Sequence, residues 1–329
     1  MAIKYVADTD LNWQRKGSGK GFHYLNKNGQ PLRTAIKRIE KLAIPPAWTA
    51  VRICPDEKGH IQAVGLDAKG RKQYIYHPDW VAHNQKHKFD QMVRFGEILP
   101  TLRQTVAGHM RQRQLNKQRI LATVVWLLEH TFIRVGNKTY EKENQSYGLT
   151  TLRNKHVAVR GDKIKFSFKG KSGVYHELDI SHPRVAQTIK ECIELPGYEI
   201  FQYLDEEQQR QRVDSRDVNE YLQELTGEAL SAKDFRTWGG TTLAGDLFYS
   251  LDQENREKEA QQVISEVVEQ VADHLGNTTQ VCRKYYIHPK IITSYETGKL
   301  QPHFKKVYAR RKPNGLSLSE KATWLLLTN

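Results

Sequence analysis

"HVAVRGDKIKFSFKGKSGVYHELDI", residues 156–180, decides how the middle of this chain has to fold. Ile164, Phe166 and Phe168 alternate with Lys163, Lys165 and Lys169. A period of two predicts a strand with one buried face and one wet, cationic face. Arg160-Gly161-Asp162 reads as the turn into that strand. Gly170-Lys171-Ser172-Gly173 reads as the turn out of it and puts Lys171 at a hairpin tip. Residues 151–173 hold seven Lys and Arg against one Asp.

On either side of this sheet the period changes. Upstream, "KQRILATVVWLLEHTFI" (117–133) is apolar nearly all round from Ile120 to Ile133, the pattern of a buried helix, and it delivers the chain to Arg134. Downstream, from about residue 181, the chain reads as helical with polar connections. Val263, Val267, Val271 and Leu275 stand four apart, Gly276 is placed to end that helix, and Asn277-Thr278-Thr279 to cap the next. Residues 1 to about 90 are different. "AVRICPDEKGHIQAVGLDAKGRKQYIYHP" (50–78) reads as three strands joined by two Gly-containing turns. The expectation is an α+β chain, with a small β-rich domain over 1–90 and a mainly helical domain over 91–329 in which a β-hairpin carries Lys171.

Charge narrows the partner. The chain of 329 residues has 51 Lys and Arg against 37 Asp and Glu, a formal +14. An excess of that size points to a polyanion, nucleic acid before an anionic membrane. No apolar run reaches the roughly 18–20 residues of a spanning helix. The start, "MAIKYVADTDLNW", has the features of neither a signal nor a transit peptide. Cys54, Cys192 and Cys282 are single and far apart, which suits buried thiols in a reducing compartment, hence a cytoplasmic protein. No CxxC, HExxH, Walker-type or Ca²⁺-loop motif occurs, so no metal or cofactor is expected.

The chemistry has to come from a combination, because a lone Arg, Lys or Tyr in a basic protein is ordinarily a solvated charge or a packed ring. Arg134 follows this largely apolar helix with no acidic residue in the four positions before it, and Gly136 beyond it would let a ligand approach. Arg236 stands between Phe235 and Trp238 and ahead of two glycines. Asn277 precedes "VCRKYYIHPK" (281–290), which holds the adjacent Tyr285 and Tyr286. Two arginines, a mobile lysine, an amide donor and a tyrosine suit phosphoryl transfer without a metal. The guanidiniums hold the non-bridging oxygens, a tyrosine attacks phosphorus, and the lysine protonates the departing oxygen. Physical reading alone does not choose between the two tyrosines. It leaves Tyr74 and Tyr76, which share one strand face beside Arg71 and Lys72, as either a half-buried aromatic pair or a phosphate-contacting edge.

At these residues the chain resembles the compact bacterial and poxvirus-like group of type IB DNA topoisomerases. "RVGNKTYEKENQSYGLTTLRNKHV", "FKGKSG", "KDFRTWGGT" and "NTTQVCRKYYIHP" are similar to that family's active-site segments in the same order. "LAIPPAWTAVRICPDEKGHIQAVGLDAKGRKQYIYHP" resembles its small N-terminal β domain. The resemblance implies Tyr286 as nucleophile, since the family pattern is Tyr-(Val/Ile)-His-Pro, and leaves Tyr285 as packing or surface. It implies Arg134 and Arg236 as transition-state stabilisers, Lys171 as general acid, Lys233 as its assistant, and Asn277 where many relatives carry histidine. It also implies a monomeric clamp on duplex DNA, with Arg71, Gln73, Tyr74 and Tyr76 on one side and Asn137 and Tyr140 on the other, acting at the nucleoid without ATP or metal. Two rivals stand beside it. A tyrosine recombinase shares the catalytic fold but typically has histidine where Lys233 stands. A non-catalytic DNA-binding protein would explain the charge but not the motif set. The basic run "FKKVYARRK" (304–312) is open between a DNA contact and a solvated tail.

Overall fold

The structure, a computed structural model, describes residues 3–19, 21–254, 259–310 and 315–329. It divides into two compact units, Met1–Lys88 and Phe89–Asn329. Arg311 and Lys312 of the basic tail lie outside the described residues.

The first unit is built on a five-stranded antiparallel sheet in the order β2-β1-β3-β4-β5. Its strands are β1 (Trp13–Ser18), β2 (Gly21–Leu25), β3 (Thr49–Ile53), β4 (Ile61–Leu66) and β5 (Lys72–Tyr76), with helix α1 (Ile36–Lys41) between β2 and β3. The three strands read from residues 50–78 are β3, β4 and β5 in consecutive antiparallel pairing. Two small apolar clusters support them. Ile39, Val51, Ile53 and Ala63 form one, and Leu11, Cys54, Ile61 and Val64 the other. Helix α1 lies outside the three strands read from sequence; it turns Ile39 inward to complete the first cluster. Helix α2 (Pro78–His109) begins directly after β5.

The second unit is mainly helical. Its elements are α3 (Lys117–Thr131), α4 (Lys138–Asn144), β6 (Val157–Arg160), β7 (Lys163–Lys169), β8 (Tyr175–Ser181) and α5 (Pro183–Glu194). There follow β9 (Gln202–Leu204), β10 (Arg210–Arg212), α6 (Ser215–Thr226), α7 (Ala232–Glu254) and α8 (Ala260–Leu275). Last come α9 (Thr279–Tyr285), α10 (Pro289–Glu296), α11 (Leu300–Arg310) and α12 (Leu318–Thr328). Helix α3 is buried nearly all round, as its sequence requires, and packs on α7 and α6. Asn116 caps its start by accepting from the Arg119 amide at 2.9 Å. Helix α8 buries Val263, Val267, Val271 and Leu275 and ends on left-handed Gly276. The short antiparallel pair β9–β10 lies in the region read as helical with polar connections. Three-residue strands carry too little periodic signal to be seen in sequence. All three cysteines are free and buried.

Strands β6, β7 and β8 form one antiparallel sheet, with the two turns where the sequence puts them. Ile164, Phe166 and Phe168 are buried and Lys163, Lys165 and Lys169 exposed. The wet face is less cationic than β7 alone suggests, because β8 brings Asp179 opposite Lys165, and Glu177 pairs with the Lys165 ammonium.

Candidate active site

Helix α3 ends because Phe132 takes the left-handed conformation (φ 52°) and turns the chain out of the helix. That turn presents the Phe132 carbonyl to one nitrogen of the Arg236 guanidinium. A second nitrogen of Arg236 donates to the carbonyl of Leu275, the last residue of α8, at 2.7 Å. Arg134, two residues beyond Phe132, donates to the Asn277 side-chain oxygen and, at 3.4 Å, to the Gly276 carbonyl. Both cations therefore sit at the C-terminal end of α8, where unpaired carbonyls and the negative end of the helix dipole face them.

Among the described residues no carboxylate pairs with either guanidinium. Burial, and then the neighbouring Arg236, pushes Arg134 down to about 10, while Tyr286 acts the other way. Arg236 is also held below its ordinary value, first by burial, with Tyr286 opposing. A guanidinium keeps its charge at neutral pH. Two like charges drawn out of water without a counter-ion are a poor way to stabilise a fold and a good way to receive an anion.

Asn277 faces both ways. Its oxygen is taken by Arg134, while its amide nitrogen is buried with no partner among the described residues. An orphaned buried donor of this kind costs stability unless a ligand satisfies it. Asn277 is not itself the cap of α9, as the sequence suggests for 277–279. Thr278 fills that place, its hydroxyl accepting from the Val281 amide.

Tyr286 is the residue at which α9 stops, with φ −123° and ψ −11°. Its half-buried ring lies 5.1 Å from the Arg236 guanidinium carbon. Tyr285 points elsewhere, 37% exposed with the Lys284 ammonium over its ring. The structure thus brings Tyr286 and not Tyr285 to the arginine pair. Lys171 is at the exposed hairpin tip, which is closed by a 2.7 Å bond from the Gly170 amide to the Val174 carbonyl. Its ammonium is 5.7 Å from the centre of the Tyr140 ring. Lys233 is exposed in the first turn of α7, one turn before Arg236. A cleft of about 220 Å³ joins Arg134, Lys171, Lys233, Arg236 and Tyr286, with Asn137, Tyr140, Ser146 and Tyr147 on its walls.

Several parts of the site differ from what sequence reasoning anticipated. Gly136 lines the cleft, but its missing side chain makes room for the protein itself. A Cβ there would lie 3.0 Å from the Thr150 hydroxyl and 3.1 Å from the Gly148 backbone. Asn137 caps α4, accepting from the Thr139 amide at 2.8 Å. In the first unit Tyr74 and Tyr76 are 37% and 42% exposed and stack on each other on edge strand β5. Arg71 and Gln73, however, both donate to Asp67.

What the sequence reading missed is the support for Tyr286. A Cβ on Gly239 would lie 2.1 Å from the Phe132 ring, and one on Gly240 would lie 2.8 Å from the Tyr286 carbonyl oxygen. Next to them the fully buried Thr241 hydroxyl donates to the Tyr286 carbonyl at 3.2 Å and accepts from the His288 amide at 3.0 Å. The two glycines after Arg236 were the only available signal. Their role depends on which segments cross α7.

Two family models match the chain. The family model of the eukaryotic DNA topoisomerase I catalytic core matches residues 71–311. The model of the bacterial DNA topoisomerase IB N-terminal domain matches residues 21–67. The chain belongs to the type IB DNA topoisomerase family. Among its relatives, DNA topoisomerase 1B of Acanthamoeba polyphaga mimivirus is 32% identical over 293 residues, covering 86% of this chain and 87% of the relative. DNA topoisomerase 1B of vaccinia virus (strain Copenhagen) is 24% identical over 231 residues, 70% of each chain. DNA topoisomerase 1 of rabbit fibroma virus (strain Kasza) is 26% identical over 229 residues, 68% of each. Among the described residues of this topoisomerase, no helix is long and apolar enough to cross a membrane.

Proposed function

We propose that this type IB DNA topoisomerase relaxes supercoiled duplex DNA through Tyr286. The observation that carries the reading is the pair of guanidiniums, Arg134 and Arg236, which no carboxylate among the described residues neutralises and which share one cleft with Tyr286, the Arg236 guanidinium carbon 5.1 Å from its ring. A phosphodiester in the cleft supplies the missing negative charge.

The Tyr286 oxygen attacks phosphorus and the P–O5′ bond breaks, leaving a 3′-phosphotyrosyl link. The phenolic proton passes to solvent water, and Lys171, assisted by Lys233, gives a proton to the departing O5′. Arg134, Arg236 and the Asn277 amide hold the non-bridging oxygens as charge builds on them. The cut strand swivels, and O5′ attacks the phosphotyrosine to restore the original bond. One phosphoester is exchanged for another in each direction, so neither ATP nor a redox partner is consumed.

On the same reading a single copy of the chain closes on duplex DNA as a clamp, working at the nucleoid in the cytoplasm. Tyr74 and Tyr76 meet the DNA from the β-rich unit, and Tyr140 and Asn137 from the helical one. Arg71 and Gln73 join them by exchanging Asp67 for phosphate.

The test is relaxation of negatively supercoiled plasmid in EDTA without nucleotide. The native enzyme and Tyr285→Phe should relax it, and Tyr286→Phe should bind DNA without relaxing it. Relaxation by Tyr286→Phe at the native rate would remove Tyr286 from the role.

A further inference from the structure

Lys171 stands on an exposed hairpin, and an exposed tip does not by itself fix a proton donor at a leaving group. Something at the neck of the hairpin has to set its direction. The residue placed to do so is His176, which neither the motifs nor the mechanism above uses.

His176 lies on β8 directly opposite Phe168 of β7, and its ring stacks on the Phe168 ring, 5.2 Å between centres and 24° between planes. Two glycines from different parts of the chain leave it its space. A Cβ on Gly170, the residue before Lys171, would lie 2.5 Å from the imidazole Cδ2. A Cβ on Gly276, the residue before Asn277, would lie 2.7 Å from its Cε1. Real Cβ atoms do not come so close, so the imidazole fills the gap between the neck of the lysine hairpin and the loop that holds Asn277. The same loop supplies the Gly276 carbonyl to Arg134, and Leu275 just before it supplies one to Arg236. Burial first, and the two arginines after it, hold the imidazole below its ordinary value.

We propose that His176 is a positioning residue, a wedge that fixes the Lys171 hairpin against the Asn277 loop and so aims the lysine ammonium at the departing O5′. The proposal rests on Lys171 being the general acid. A misplacement of about 1 Å at a reacting group costs on the order of 10²-fold in rate, and the loss should fall on leaving-group protonation rather than on phosphate binding.

A bridging sulfur separates these steps. When the bridging O5′ of the cleaved bond is replaced by sulfur, the leaving group departs as a thiolate and needs no proton. Single-turnover cleavage would be measured on ordinary DNA and on the sulfur-bridged duplex, for native enzyme, Lys171→Ala, His176→Ala, Gly170→Ala and the Gly170→Ala/His176→Ala pair. The sulfur is placed at the bond that the native enzyme cleaves. Expected for His176→Ala is a loss of roughly 10²-fold on ordinary DNA, restored to near the native rate by sulfur. Gly170→Ala should behave alike, because its Cβ displaces the ring, and the pair should lose less than the two single losses multiplied together.

A defect in His176→Ala that sulfur leaves in place, while Lys171→Ala is rescued, would overturn the wedge and leave the acid standing. Failure of sulfur to rescue Lys171→Ala would remove the general acid and the proposal with it. An unfolded variant is not rescued by sulfur, so a general loss of structure cannot imitate the expected result.

Discussion

Asn277 shows how one side chain can be half committed to the protein and half left without a partner among the described residues. Its oxygen orients Arg134 and its amide nitrogen is buried without a partner. Asn277→Ala should therefore slow single-turnover cleavage by roughly 10²–10³-fold, the usual cost of one transition-state donor. Asn277→Asp should lose at least as much, since it sets a negative charge beside the phosphate. A second residue predicts a pH effect. His288 accepts from the Lys290 amide at 3.0 Å to cap α10, and burial, then Lys290, pushes it down to about 4 from an ordinary 6.5, with Asp90 opposing. The unfolded chain then binds the proton more readily than the folded one. Its contribution to stability is complete above pH 6.5 and is lost as pH falls toward 4. Urea midpoints should decline over that window, and His288→Asn, which keeps an acceptor for the cap but does not titrate, should flatten the decline. Tyr285 and Tyr286 differ by one position, and at this scale sequence chemistry cannot rank them. Only the direction each ring takes as α9 ends separates them.

Helix α7 is the element that assembles the site. Within six residues it supplies Arg236, the gap at Gly239 for Phe132, the gap at Gly240 for the Tyr286 backbone, and the Thr241 hydroxyl. Thr241→Val keeps the shape but leaves the Tyr286 carbonyl and the His288 amide without the hydroxyl that joins them. It should cost about 1–3 kcal/mol of stability by denaturant unfolding, with slower cleavage, and Thr241→Ser should restore most of both. Gly240→Ala should impair cleavage more than DNA binding, because its Cβ meets the Tyr286 carbonyl at 2.8 Å. The hairpin β7–β8 and the stop of α8 at Gly276 were legible from period and turn residues, which act locally. The β9–β10 pair and helix α1 were not, being too short for a period to appear.

Across the whole molecule the charge is unevenly shared. Residues 1–88 hold 16 Lys and Arg against 7 Asp and Glu, while residues 89–329 hold 35 against 30. Most of the +14 thus belongs to the first unit. Lys305 and Lys306 are on the exposed side of α11, whose other side buries Phe304 and Val307. Lys305→Ala/Lys306→Ala should leave the slope of log K against log salt for DNA binding unchanged. Removing two exposed lysines from the first unit, such as Lys16 and Lys27, should reduce it by up to about 2, near 0.9 for each phosphate no longer neutralised. A drop of that size for the α11 pair would move "FKKVYARRK" to the DNA-contacting side.

The sequence by itself determined the helical and β-rich regions, the Lys171 hairpin, the family and the residue types of the site. These rest on periodicity, turn chemistry and motif order, all read within a short stretch of chain. Tertiary structure alone decided that α8 would turn its C-terminal carbonyls to two arginines, that α7 would leave room for Tyr286, and that His176 would meet both Gly170 and Gly276. Those pairings join residues up to 142 positions apart. Their energies depend on which elements cross, and a linear pattern does not contain that.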